Sequence, residues 1–281
     1  GHRRRRPRRR ITLGAAVELP GRATRFDVRY ALDRDRVCDR ADNEGVAAVD
    51  RQRLPNADGC FALAPERAER GRTVHVATVG WTQVLRRDAV ARVYLGLQRS
   101  SGLLASPYRE VWLGTLAAQE HHPGQRRRGA LGVEFRWALP VLRGVLAAKV
   151  DGTHDDWGVH TVAGQLAWQQ RLSPELRLRF RARAFRQSGA FFYSDDYGTQ
   201  PRGAYFTGDR ELSPMSSWLG GVQIAWHPTP AANWLGFLEG IRLVASVDAS
   251  RATYAAYSLR ANPLPDGAWV VATLSLTGEL E

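Results

Sequence analysis

The sequence is poor in several residues and patterns that usually mark the class of a protein. Its 281 residues include one methionine, two cysteines and a single lysine, Lys149. No apolar run approaches the roughly 18 residues that a membrane-spanning helix needs, which excludes that architecture. The cysteines form no CxxC or CxxH pair, which excludes the usual zinc and iron–sulfur signatures.

The two cysteines, Cys38 and Cys60, flank a polar stretch that contains Gly, Asp and Asn. Two such residues in a loop favour a disulfide formed in an oxidising compartment. The alternative is that they are two unrelated thiols. We therefore expect a Cys38–Cys60 disulfide inside a long loop.

Positive charge dominates the chain. It has 40 Lys and Arg against 28 Asp and Glu, a net charge of +12 and a pI near 10.7. The first residues, GHRRRRPRRR, contain no starting Met and no apolar signal-peptide core. We expect residues 1–10 to be a basic segment outside the folded domain, in a fragment or a processed product. A hydrophobic content of 44% argues against disorder.

The stretch LRLRFRARAF at 176–185 places an arginine at every second position. An extended strand sends alternate side chains to opposite faces. One face of this strand is therefore cationic and the other is hydrocarbon. Arginine facing lipid costs about 2–4 kcal/mol at the membrane midplane, so the arginines must face inward if the strand crosses a membrane.

The same two-residue period recurs along the chain, in about eleven strands with no convincing helix. Tight turns alternate with long connections, as in up-and-down outer-membrane barrels. The segment 108–118 fits either a further short strand or part of a loop. The predicted long outer loops are 33–72, 99–128, 187–214 and 249–267.

These patterns predict an all-β fold, an up-and-down antiparallel transmembrane β-barrel formed by residues 11–281 as one domain. A closed bacterial barrel has an even number of strands, so we expect about twelve. One of them should precede residue 11, and it is either missing or lies in the Arg-rich start. The alternative is a soluble antiparallel sheet with a solvated basic face. An aromatic girdle near the short turns is also expected. Its members are Trp81, Trp137, Trp168, Trp226 and Trp234.

The inward positions of these strands carry far more bases than acids. Basic rings in a pore favour anions, so we expect a passive channel. A plugged barrel that anchors partner proteins or other subunits of a complex is the alternative. Nucleic-acid binding is disfavoured, because the charges alternate along strands instead of clustering in one motif. The predicted pore-lining residues are Arg25, Arg29, Arg92, Arg136, Lys149, Arg177, Arg179, Arg181, Arg183 and Arg242.

No catalytic motif stands out. Ser188 and Ser213 are possible nucleophiles, with His154 or His160 as possible bases, but no GxSxG elbow exists. We therefore expect a non-enzyme without a cofactor or a resident metal. Five loop acids are candidates for docking a partner or binding an ion, although turn-capping acids would look the same. They are Asp155, Asp156, Asp195, Asp196 and Asp209.

Several stretches carry a family resemblance. They are SPYREV (106–111), HHPGQRRRGAL (121–131), DDWGVHT (155–161), RQSGAFFYSDDYG (186–198) and DRELSPMSSW (209–218). In this order they resemble an uncharacterised bacterial family of outer-membrane barrels, catalogued as a domain of unknown function (the 3570 family). The resemblance implies a barrel in the outer membrane of a Gram-negative bacterium, with membrane lipid as its surroundings. It implies no activity. The basic start and the end TGELE, which lacks a terminal aromatic residue, depart from the family pattern.

Overall fold

We describe a computed structural model of the chain. It describes eight stretches of the 281 residues. In this part of the chain, no helix is long and apolar enough to cross a membrane. The described stretches are 9–37, 70–106, 109–113, 116–198, 203–228, 238–259, 262–263 and 266–280.

The fold consists of β-strands with only two single-turn 3₁₀ helices in the described residues, at Pro140–Leu142 and Arg210–Leu212. Eleven strands form one sheet, and four short strands form two separate hairpins. In chain order they are β1 (Arg9–Glu18), β2 (Thr24–Val37), β3 (Arg70–Arg86), β4 (Ala89–Gly102), β5 (Glu110–Leu113), β6 (Leu116–Gln119), β7 (Gln125–Leu139), β8 (Gly144–Asp155), β9 (His160–Arg171), β10 (Leu176–Gln187), β11 (Met215–Trp226), β12 (Leu238–Tyr254), β13 (Ser258–Leu259), β14 (Asn262–Pro263) and β15 (Gly267–Leu280).

Each strand of the large sheet pairs antiparallel with the strand that precedes and the strand that follows it in this sheet, in the order β1-β2-β3-β4-β7-β8-β9-β10-β11-β12-β15. The predicted fold class, an up-and-down antiparallel β-barrel, is confirmed. Eleven strands form the sheet in the described residues, where about twelve are predicted. Within this part of the chain, no ladder pairs β1 with β15.

Short turns have backbone conformations that match their sequences. Between β1 and β2, Gly21 and Arg22 both have positive φ angles, of 88° and 56°. The N–H of Arg22 donates to the carbonyl of Leu19 at 3.0 Å. Between β8 and β9, Gly158 has a φ of 81° and closes the turn onto the carbonyl of Asp155 at 3.1 Å. Glycine favours such angles because it has no Cβ.

The strands extend further into the long connections than the sequence pattern predicts. β2 runs to Val37 and β8 to Asp155, so the segment 151–158 is mostly strand and a tight turn. The ambiguous segment 108–118 contributes the hairpin β5–β6, which is separate from the large sheet. β1 begins at Arg9, so the last two residues of the predicted basic segment pair with β2. The predicted disulfide between Cys38 and Cys60 lies outside the described residues.

A cluster of buried apolar residues lies in the β8–β9 turn and in the connection between β10 and β11, not between the strands. We call this cluster the loop cap, and it consists of Trp157, Val159, Ala190, Phe192 and Leu212. It lies at the end of the strands that carries the long connections. By contrast, many large apolar side chains on the strands themselves are exposed.

Candidate functional site: the inner face and the loop cap

One face of the sheet, which we call the inner face, carries most of the charge on the strands. Directly opposite residues on antiparallel strands point to the same side. Asp27 lies opposite Gly80, Gly80 opposite Tyr94, Tyr94 opposite Gly132 and Gly132 opposite Asp151, which traces this face across the sheet.

Every predicted pore-lining residue shares this inner face. Strand alternation fixes the side on each strand, and the register fixes it between strands. The side chains come from β2, β4, β7, β8, β10 and β12. They are Arg25, Arg29, Arg92, Arg136, Lys149, Arg177, Arg179, Arg181, Arg183 and Arg242.

Arg181 on β10 shows how the inner face arranges its ion pairs. Its Nε donates to Oδ1 of Asp248 on β12 at 2.7 Å, across the intervening strand β11. The residue between them is Gly221, which lies opposite both. A Cβ at this position would collide with the Asp248 carboxylate. The glycine therefore leaves the space in which the pair forms.

Half of the predicted pore-lining bases have a carboxylate partner. The pairs are Arg25–Glu18 at 3.7 Å, Arg92–Asp27 at 3.4 Å, Arg136–Glu134 at 2.6 Å, Lys149–Asp151 at 3.0 Å and Arg181–Asp248. In the described part of the chain, the other five have no carboxylate within 4.0 Å. These are Arg29, Arg177, Arg179, Arg183 and Arg242. The inner face therefore carries uncompensated positive charge, three guanidinium groups of it on β10 alone.

The predicted pore-lining basic side chains keep access to solvent, each being exposed or half-buried. The exposed fraction is 35% for the Arg181 side chain, 44% for Arg92 and 66% for Arg136. Packed protein would bury long side chains of this kind. In the described residues, the interior is therefore polar and solvent-accessible at these positions.

The opposite face of the sheet is apolar and exposed. Leu131 and Val133 on β7 are 56% and 46% exposed, and Phe180 on β10 is 46% exposed. From Gly129 to Trp137, the apolar positions of β7 cover about 27 Å along the strand, or about 21 Å perpendicular to the membrane at the usual tilt. The lipid-facing band of an outer-membrane barrel has about this height.

Tryptophans flank this band near the short turns. The indole N–H of Trp137 donates to Oδ2 of Asp88 at 3.0 Å, in the turn between β3 and β4. Trp81, Trp168 and Trp226 lie on the same outer face, and Trp234 is outside the described residues. Only helices and closed barrels satisfy their backbone hydrogen bonds in lipid. This outer face has the apolar band and the flanking tryptophans of a lipid-facing barrel surface, which agrees with the predicted outer-membrane location.

Asp155 holds the loop cap to the sheet. Its Oδ1 accepts the backbone N–H groups of Trp157 and Val159 at 3.1 and 3.0 Å. Its Oδ2 accepts Nε of Arg126 at 2.7 Å and Nη2 of Arg128 at 3.4 Å. The Arg126 guanidinium also lies 4.3 Å from the centre of the Trp157 ring. Asp155 is 1% exposed, so its carboxylate is fully occupied inside the protein.

A second buried polar group lies beside the apolar cluster. Glu120 accepts a hydrogen bond from the Thr207 hydroxyl at 2.8 Å, and its other oxygen lies 3.4 Å from Nε2 of His122. The His122 ring packs against Trp157 and Phe192, with centroid distances of 5.4 and 5.3 Å. Three separate connections therefore meet at this point.

The remaining loop acids have local roles. Asp156 accepts the backbone N–H of Arg127 at 3.0 Å, and Asp196 accepts that of Gly198 at 2.9 Å. Asp209 caps the 3₁₀ helix at the N–H of Glu211 and pairs with Arg109. Asp195 is partly buried. Among the described residues, no three or more His, Cys, Asp or Glu are grouped to hold a metal ion.

The candidate nucleophiles make backbone contacts. Ser188 donates to the carbonyl of Gly158 at 2.9 Å and accepts the N–H of His160 at 2.8 Å. Ser213 donates to the carbonyl of Arg210 at 2.7 Å. The rings of His154 and His160 stack on each other at 4.4 Å. Within the described ranges, no imidazole hydrogen-bonds to either serine hydroxyl.

Sequence reasoning did not predict roles for Glu120, His122, Thr207 or Trp157. A partial signal was present. All five loop-cap residues fall inside the family-like stretches at 155–161, 186–198 and 209–218, and His122 falls inside 121–131, whereas Glu120 and Thr207 lie outside all of these stretches. These stretches are far apart in the chain, and the pattern of one strand says nothing about which connections meet.

Several solved structures resemble this chain although their sequences are very different. BamA from Haemophilus ducreyi, lacking POTRA domains 1–3, is 8% identical with a TM-score of 0.46 over 95% of this chain and 62% of that one. CdiB from Acinetobacter baumannii is 12% identical with a TM-score of 0.46 over 96% and 44%. OmpT of Vibrio cholerae, in its trimer form, is 8% identical with a TM-score of 0.42 over 96% and 88%. The chain thus spans less than two thirds of the first two.

Sequence comparison gives a more specific result. No curated protein matches the chain. The family described as "Protein of unknown function (DUF3570)" matches residues 12–239, which is most of the sequence and includes every stretch on which the resemblance rests. The chain therefore belongs to the DUF3570 family of proteins of unknown function.

Proposed function

We propose that this protein is a passive conduit through the outer membrane that favours anions, and that it is not an enzyme. One observation carries the proposal: the predicted pore-lining arginines are exposed or half-buried, and five of the ten predicted pore-lining bases have no carboxylate within 4.0 Å in the described residues. A passage lined in this way concentrates anions and repels cations.

Strand β10 supports the anion preference most directly. Arg177, Arg179 and Arg183 occupy successive or nearly successive inner-face positions, and only Arg181 between them is paired, with Asp248. The unpaired groups keep their full charge for a passing solute. Arginine also binds phosphate and carboxylate groups in a bidentate manner, so small phosphorylated or carboxylated solutes fit this wall.

The test is planar-bilayer conductance of the purified full-length protein in a salt gradient. We expect a stable conductance whose reversal potential indicates anion selectivity. Arg179→Gln plus Arg183→Gln should move that potential toward zero or toward cation selectivity. Arg86→Gln plus Arg87→Gln removes the same charge from a short turn outside the lumen and should leave it unchanged. A cation-selective wild-type pore would refute the proposal.

The loop cap favours a second candidate function. Its buried cluster forms a folded layer at one end of the strands, which suits a plugged barrel that anchors surface or periplasmic partners or other subunits of a complex. A folded, heat-modifiable protein that gives no conductance would select this candidate over the conduit.

A further inference from the structure

A row of one imidazole and two guanidinium groups lies on the outer face of the sheet, just beyond the apolar band on the side of the long connections. His75 on β3 lies directly opposite Arg99 on β4, and Arg99 lies directly opposite Arg127 on β7. Both arginines are exposed. The register therefore places an imidazole and two guanidinium groups side by side on the surface that faces away from the lumen.

The family-like run QRRRG shows why one of these arginines points outward. Arg126 and Arg128 turn to the inner face and bind Asp155. Alternation then sends Arg127 to the outer face. In the described residues, neither Arg99 nor Arg127 has a carboxylate within 4.0 Å of its guanidinium group. The Asp156 carboxylate accepts the backbone N–H of Arg127 at 3.0 Å.

The row lines a cleft of about 500 Å³. Tyr30 closes one side of it, with its hydroxyl 2.7 Å from Nδ1 of His75, and His154 and Asp156 close the other. Leu97 contributes to the apolar floor. The cleft therefore combines a hydrocarbon surface with two arginine head groups, and it is wide enough for a lipid head group.

The height of the row in the membrane selects the ligand. Leu97 precedes Arg99 by two residues on the same face and is 57% exposed, which places it in the lipid-facing band. One pleat of a strand is about 7 Å long, so the backbone of Arg99 lies about one pleat beyond that of Leu97, on the side away from the apolar band. The ester and phosphate groups of the leaflet occupy this level.

We propose that the cleft between β3, β4 and β7 binds the phosphate groups of an anionic lipid in the leaflet on the side of the long connections. Arg99 and Arg127 hold the phosphate, because guanidinium groups form bidentate bonds to its oxygens. Leu97 packs against the acyl chains. Arg34 and Arg186, on the same outer face, extend the cationic surface along the sheet. The site lies outside the lumen, so it does not depend on conduction.

The experiment measures binding of lipid A to the full-length folded protein in detergent, by native mass spectrometry. Bis-phosphorylated lipid A, fully dephosphorylated lipid A and inorganic phosphate are the three probes. We expect Arg99→Gln plus Arg127→Gln to weaken binding of the bis-phosphorylated form by about 10- to 30-fold, because the variant loses two arginine contacts with the lipid phosphates. Arg86→Gln plus Arg87→Gln, which removes equal charge at the opposite end of β3 and β4, should change it by less than about 2-fold.

Three results would overturn the proposal: equal loss of binding in both double variants, binding that does not depend on the lipid phosphates, or full displacement by inorganic phosphate at an equal concentration. The last would indicate a site for small anions. The comparison of lipid forms uses the unmodified protein, so it tests whether binding depends on the lipid phosphates even if a variant does not fold. Unchanged ion selectivity in Arg99→Gln plus Arg127→Gln, with lipid binding lost, separates this site from the lumen.

Discussion

Asp155 offers the sharpest test of how the loop cap is held, because its two oxygens have different partners. Oδ1 accepts two backbone N–H groups, and Oδ2 accepts two arginines. In Asp155→Asn, the amide oxygen keeps the backbone contacts and the NH₂ group faces two guanidinium donors. The variant thus removes the charge and the acceptor for the arginines while it preserves the shape of the turn.

The magnitude follows from the burial of the group. The Asp155 side chain is 0% exposed, and the Arg126 side chain is 16% exposed. Breaking a buried ion pair from one side costs about 3–5 kcal/mol. Arg128, at 34% exposed, regains hydration once the carboxylate is lost, which lowers the cost. We expect Asp155→Asn to lower the free energy of unfolding by about 3 kcal/mol.

The assay is equilibrium urea unfolding of the protein in lipid vesicles, together with limited proteolysis of the long connections. Asp156→Asn is the matched control, because this neighbour is exposed and accepts one backbone hydrogen bond. It should cost less than about 1 kcal/mol. If the two variants lose equal stability, or if Asp155→Asn remains within about 0.5 kcal/mol of the parent, the carboxylate does not hold the cap.

Two further predictions concern the sheet and the cap. Gly132→Ala should lower the free energy of unfolding by about 1–3 kcal/mol in the same urea assay, because the new Cβ overlaps the Tyr94 ring that covers this glycine. Gly129→Ala is the control and should have little effect, because nothing lies within 4 Å of a Cβ at that position. Burial, reinforced by the charge of Asp195, raises the pKa of the Tyr193 phenol, whose hydroxyl donates to the carbonyl of Ala256 at 2.6 Å. The stability that this neutral phenol contributes is present below its ordinary pKa of 10.0 and is lost at higher pH. Proteolysis of the loop cap should therefore become faster in alkaline solution, and Tyr193→Phe should abolish this pH dependence. An unchanged alkaline slope in Tyr193→Phe would contradict the prediction.

The arrangement of the inner face limits the repulsion among its many positive charges. Acids at Asp27, Glu134, Asp151 and Asp248 each pair with a base on a nearby strand or two residues along their own strand. Small residues such as Gly221 leave space for these pairs. Water reaches the rest. Repulsion among the unpaired arginines is therefore screened and does not act across a dry interior.

The sequence by itself determined the strands, their two faces and the sign of the charge on the inner face. Alternation on β10 assigns Arg177, Arg179, Arg181 and Arg183 to one side, because backbone geometry alone sends neighbouring side chains in opposite directions. The apolar side then needs an apolar environment, which lipid supplies in the predicted barrel. These conclusions depend on residues close together in the chain, and the register of the sheet agrees with them.

Only the tertiary structure decided which of these groups are partners. Glu120 and Thr207 are hydrogen-bonded although they are 87 residues apart, and Arg181 meets Asp248 at a separation of 67 residues. The placement of Arg99 directly opposite Arg127 on the outer face likewise depends on β4 lying next to β7 in the large sheet, which does not include the β5–β6 hairpin. A two-residue period has the same appearance in any register. The choice of neighbouring strands and the meeting of distant loops are properties of the whole fold.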